Sequence, residues 1–202
     1  MTKTEKAVTW AIEIANDPAH GYDQDNRWGP DYDCSSLVIS AWQQAGVPVK
    51  TKGAYNTKSM KSVFLSCGFK DVTSSVNLDN GSGMKRGDVL LNIARHTVMH
   101  IGNGKVVSAS INENGGAHGG TPGDQNGNEI KSRITTTARG IVFFVIMKIL
   151  HLRIQNHSQL LEMPKSAKVR VMPINLPILA SPLPGKEMLP LRKQLLKFFR
   201  QL

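Results

Sequence analysis

Three observations predict an α+β fold. Apolar residues recur at helical spacing before Gly68, and strand patterns follow between residues 87 and 134. Gly102-Asn103-Gly104 joins two of those strands as a hairpin turn. Helices first and an antiparallel meander afterwards is the α+β order, here with N-terminal helices packed on the sheet and an irregular C-terminal tail.

The first helix is expected over residues 4–16, where Ala7, Trp10, Ala11, Ile14 and Ala15 share a face and Pro18 and Gly21 end the run. Residues 21–33 form a polar loop rich in Asp, Asn and aromatic residues. Asp33 then N-caps a second helix running to Ala45, with Cys34, Val38, Ala41, Trp42 and Ala45 on one face and Gly46 and Pro48 as its stop. Met60, Val63 and Phe64 carry a third helix over 57–67, stopped by Gly68. A buried strand is expected over 87–93, further strands over 96–101 and 105–109, a glycine-rich loop over 115–127 and a short strand over 130–134.

Composition divides the chain. Of the formal net charge of +10, +7 lies in the last 54 residues, which hold 9 basic and 2 acidic side chains against 16 and 13 before them. Seventeen of the 18 glycines precede that boundary, and six of the 10 prolines follow it. The expected domains are therefore 1–148 and a basic, proline-interrupted tail over 149–202. Two cysteines make no disulfide framework, so reduced thiols and a cytosolic place of synthesis are expected. The start of the chain lacks the apolar core of a secretory signal, and the most apolar stretch, 140–150, is too short to span a bilayer.

The chemistry gathers at Tyr32-Asp33-Cys34-Ser35-Ser36-Leu37-Val38, where the loop turns into the second helix. A thiol there feels the positive end of the helix dipole, which favours the nucleophilic thiolate, and the free backbone N–H groups can hold an oxyanion. Sixty-two residues later His96 opens a strand that places His96, Val98 and His100 on one face. A Cys/His pair is the equipment of a cysteine hydrolase. A free cysteine is more often a buried apolar residue, which is the reading for Cys67, and a strand histidine is more often structural. A zinc site drawn from Cys34, Cys67, His96, His100 or His118 lacks the usual ligand spacing.

The ordered set Tyr32-Asp33-Cys34-Ser35-Ser36-Leu37, Arg86-Gly87-Asp88-Val89-Leu90 and His96-Thr97-Val98-Met99-His100-Ile101-Gly102-Asn103-Gly104-Lys105-Val106-Val107 resembles the NlpC/P60 superfamily, in particular its bacteriophage peptidoglycan-hydrolase branch. Trp28-Gly29-Pro30, Ala109-Ser110-Ile111-Asn112-Glu113 and Gly123-Asp124-Gln125 strengthen the likeness, which covers 4–133. The resemblance implies a papain-like core that cleaves an amide bond of cell-wall peptide, as an N-acetylmuramoyl-L-alanine amidase or a stem-peptide endopeptidase. It implies Cys34 as nucleophile, His96 as general base, and Ser108 as the third residue where His, Asn or Gln is usual, with Asn112 as fallback. His100 falls where the family has an apolar or aromatic residue and is not assigned. Tyr22, Trp28 and Asp33 fall where the substrate groove is expected, although loop aromatics are as often packing residues. The mechanism needs no metal or cofactor. The implied partner is bacterial peptidoglycan, met by a monomer that waits in the host cytoplasm until lysis, without a membrane span or nucleic acid.

The sequence then leaves the family pattern. An aromatic-rich strand is usual after the Gly-Asp-Gln loop, whereas here Thr135-Thr136-Thr137-Ala138-Arg139-Gly140 and an apolar run follow. Threonine codons begin AC, so a reading shifted by two bases yields codons ending AC, tyrosine and asparagine among them. The chain from about residue 134 onward is therefore expected to be read out of frame, and a strand within 142–150 would pair by chance. The competing reading is an evolved basic extension. On it, Arg192, Lys193, Lys197 and Arg200 among Leu191, Leu195, Leu196, Phe198 and Phe199 would bind an anionic membrane or nucleic acid, the rest being an inactive remnant. A transacylase using the same thioester is a further enzyme reading.

Overall fold

A computed structural model describes residues 1–134 and 145–149. The out-of-frame reading, most of the 149–202 segment and the basic stretch at 191–202 lie outside the described residues.

Each helix starts at a polar side chain that satisfies its free N–H groups. Thr2 accepts from the Glu5 amide at 3.1 Å and opens α1 (Lys3–Asn16), whose buried face is Ala7, Val8, Ala11 and Ile14. Asp33 and Ser36 form a reciprocal capping box at the head of α2 (Cys34–Gln44). Asn56 and Ser59 do the same for α3 (Thr57–Ser66). Every residue of α2 from Cys34 to Trp42 is buried, so it is the central helix rather than a surface one.

The sheet contains β1 (Phe69–Asp71), β2 (Val89–Asn92), β3 (His96–Gly102), β4 (Lys105–Ala109), β5 (Ile130–Ile134) and β6 (Val145–Ile149). Its spatial order is β1-β6-β2-β3-β4-β5, with every neighbouring pair antiparallel. Alternation divides its side chains between two clusters. Val89, Leu91, Met99, Ile101, Val107 and Ala109 join the main core with Leu37, Val38, Ala41 and Trp42 of α2. Leu90, Val98 and Val106 form a smaller cluster covered by Val72, Val76, Leu78 and Met84. Phe69 meets the Trp42 ring edge-on at 4.9 Å and Phe64 at 4.8 Å, tying β1 to α2 and α3.

The expected helices and the β2–β5 meander are all present, with boundaries shifted by at most a few residues. Two strands were not assigned from the sequence. β1 is too short to show a period. β6 lies within the stretch where only chance pairing was expected, yet it inserts between β1 and β2 and buries Met147 in the main core. Its apolar run fits a strand flanked on both sides, which needs no polar alternation.

Candidate active site

The site begins at the tip of α2. The Asp33 carboxylate accepts from the Ser36 amide at 2.6 Å and from the Ser35 hydroxyl at 2.9 Å, and it pairs with the Arg27 guanidinium. Arg27 also donates to the Tyr55 carbonyl and lies over the Tyr55 ring at 4.3 Å and the Trp28 ring at 5.1 Å. Asp33 is thus occupied by the cap and by Arg27, and is almost fully buried. The expected groove residue is spent on building the helix tip. The Ser36 N–H donates to the Asp33 carboxylate, the Leu37 N–H to the Asp33 carbonyl, and the Ser35 N–H reaches the Cys34 sulfur.

The Cys34 thiol is 7% exposed. Backbone amides of Thr97 and Ser35 reach its sulfur, and Tyr22 lies near enough to share its field. Burial first, and then the Asp33 charge, push the thiol up to about 11, against the opposing amides and Arg27. Desolvation and the neighbouring carboxylate thus act against the thiolate that the helix position alone favours.

His96 heads β3, and its successor Thr97 is the residue whose amide reaches the Cys34 sulfur. Burial, then the Arg133 guanidinium, push the imidazole down to about 4, with Asp33 opposing. Both groups are thereby held toward their neutral forms, and the Asp33 carboxylate acts on each. Ser108 lies on β4, fully buried, and its hydroxyl is bound to Arg133 Nη2 at 2.5 Å and to Ser110 Oγ at 3.3 Å. Asn112 is buried as well, but its amide is used by its own loop: Oδ1 accepts from Asn114 and Gly116, and Nδ2 donates to the His118 carbonyl.

Tyr22 is buried, and burial raises its hydroxyl above the ordinary phenol range while Gln24 donates to its oxygen at 3.1 Å. Trp28 is half-buried, 5.8 Å from the Tyr55 ring and under the Lys50 ammonium at 4.0 Å. Among the described residues no three His, Cys, Asp or Glu side chains gather into a metal-binding group. Cys67 caps the far end of α3, and His118 pairs with Asp25 at 2.9 Å.

Residues 29–107 match the endolysin-like domain family. The matched segment holds Cys34, Thr97 and His96 and agrees with the resemblance drawn from the motifs. No curated protein matches the sequence. Among solved structures, NlpC1 from Trichomonas vaginalis is similar over 73% of this chain and 44% of that one, at 16% identity and a TM-score of 0.42. The chain thus spans less than half the length of that protein.

Three residues around the endolysin-like segment escaped the sequence reading. Arg27 looked like an ordinary loop cation, yet it is 9% exposed and neutralises Asp33 beside the thiol. Glu129 is buried, and its carboxylate accepts from the Tyr22 amide at 2.8 Å and the Gln125 amide at 3.1 Å. It fastens the loop before α2 to the loop before β5, at a place where a Cβ on Gly21 would lie 2.2 Å from the Gly123 carbonyl oxygen. Arg133 reaches Ser108 only through the β4–β5 register, in which it pairs with Val106. A sequence marks such a residue as a strand cation and nothing more.

Proposed function

We propose that the chain is a peptidoglycan amidohydrolase in which Cys34 is the nucleophile and His96 the general base. The observation that carries the reading is that Thr97, the residue following His96, presents its amide to the Cys34 sulfur at the α2 tip. The endolysin-like match over the same segment supports cell-wall peptide as the substrate. Residues 1–148 are the catalytic part on this reading.

Because both groups are held toward their neutral forms, His96 takes the thiol proton as sulfur attacks the amide carbonyl, rather than storing a thiolate beforehand. The developing oxyanion falls beside the Cys34 and Ser35 N–H groups at the positive end of α2. The imidazolium then protonates the leaving amine, and a carboxylic thioester remains on Cys34. His96 next activates a water, which cleaves the thioester and restores the thiol. Ser108 acts from the neighbouring strand by holding Arg133 rather than as a strong acceptor for the imidazole.

Mass spectrometry of fragments released from purified peptidoglycan tests this reading. New free amines within stem peptides identify an endopeptidase, and bare glycan with intact stems identifies an amidase. Release that persists unchanged in Cys34→Ala overturns the reading.

A further inference from the structure

The guanidinium of Arg133 is the one prominent group at the site that the hydrolytic cycle leaves without a task. It extends from β5, the sheet's edge strand, across β4. There Nη2 donates to Ser108 Oγ at 2.5 Å and to Ser110 Oγ at 2.7 Å. Extending the β3–β4 register of Met99 with Val107 places Ser110 opposite His96, so the two serines hold the cation at the His96 end of the sheet. Both anchors are neutral. Among the described residues no carboxylate pairs with Arg133, whereas Arg27 and Arg86 each have one, Asp33 and Glu5. Arg133 is exposed, and its Nε and Nη1 hydrogens are not engaged by any described acceptor. A guanidinium oriented by two hydroxyls through Nη2, with its Nε and Nη1 hydrogens unengaged and no anion beside it, is a positive donor suited to a carboxylate.

Resting on the hydrolase reading, we propose that Arg133, oriented by Ser108 and Ser110, binds a free carboxylate of the wall peptide next to the scissile amide. The site thereby selects stem peptides bearing that carboxylate over their carboxamide forms. The structural basis is a charge-assisted hydrogen bond from the unengaged Nε or Nη1 hydrogens, which a neutral carboxamide can only accept in its weaker, uncharged form. The residue lies beyond the matched segment, which ends at residue 107, so the selectivity belongs to this chain's β5. A bound carboxylate also offsets the field that Arg133 exerts on His96, so the right substrate strengthens the base.

Binding, measured apart from turnover, decides the matter. Titrations of the full chain carrying Cys34→Ala use two synthetic stem peptides, identical except for a carboxylate or a carboxamide on the residue next to the scissile bond. The carboxylate peptide should bind about tenfold or more tightly. Adding Arg133→Gln should bring the ratio to about one, Arg133→Lys should keep part of it, and Ser110→Ala should reduce it. Equal binding of the two peptides by the Cys34→Ala chain, no binding of either, or a ratio that survives Arg133→Gln would each overturn the inference. Turnover by the unaltered chain is scored separately. A chain that discriminates through Arg133 without hydrolysing keeps this inference and loses the hydrolase reading, while one that hydrolyses both peptides equally does the reverse.

Discussion

The two cysteines sit at opposite kinds of helix end, and the proposed function rests on that difference. Cys34 opens α2, where N–H groups point outward, a capping carboxylate is held by Arg27, and β3 brings the Thr97 amide to the sulfur. Cys67 closes α3, where its amide is turned back to the carbonyls of Val63, Phe64 and Leu65, its sulfur lies 4.0 Å from the Ser66 hydroxyl, and its side chain packs against the main core. A helix C-terminus presents carbonyl oxygens, which repel an oxyanion. On the proposed reading the same side chain is a nucleophile in one place and a packing residue in the other.

The contrast is broken most severely at the thiols themselves. Cys34→Ala should lower fragment release by roughly ten-thousand-fold, while Cys67→Ala changes it by no more than a few-fold, both read as rates on purified wall. Equal losses would remove the distinction between the two helix ends.

The next largest effect is at the cap. Asp33→Ala deprives Arg27, whose side chain is only 10% exposed, of its partner and leaves the Ser36 amide uncapped. A loss of about 3–5 kcal/mol in denaturant unfolding is expected, as for a broken buried pair. The equivalent change at α3, Asn56→Ala, removes a cap without a buried cation and should cost only about 1 kcal/mol. Similar costs for the two would show that Arg27 is not truly dependent on Asp33.

A smaller and more specific effect concerns pH. His96 must be neutral to accept the thiol proton, so activity should rise as pH climbs through its value of about 4. Arg133 helps to hold that value down. Arg133→Gln therefore shifts the acid limb of kcat/KM upward, yet short of the ordinary histidine value because burial persists. An acid limb unmoved by Arg133→Gln would place the guanidinium outside the imidazole's field.

The sequence displayed the elements that build the site far better than the state of its groups. Asp33 before Cys34 announced a helix start, and the Gly102-Asn103-Gly104 turn announced the hairpin that carries His96, because capping and turn chemistry are local. The upward push on the thiol was not legible, since it depends on how deeply Cys34 is buried, a property of packing. Arg133 was not legible because only strand register carries it to Ser108. β6 was missed for a related reason: an apolar run without period becomes a strand only once β1 and β2 leave a gap between them.

The most direct measurement is rapid quenching of the full chain with a soluble wall peptide, followed by mass spectrometry of its proteolytic fragments. The account predicts an acyl group, sensitive to hydroxylamine, on the fragment containing Cys34 and none on that containing Cys67. Continued turnover with no acyl group on Cys34, or with the acyl group on another residue, would contradict it.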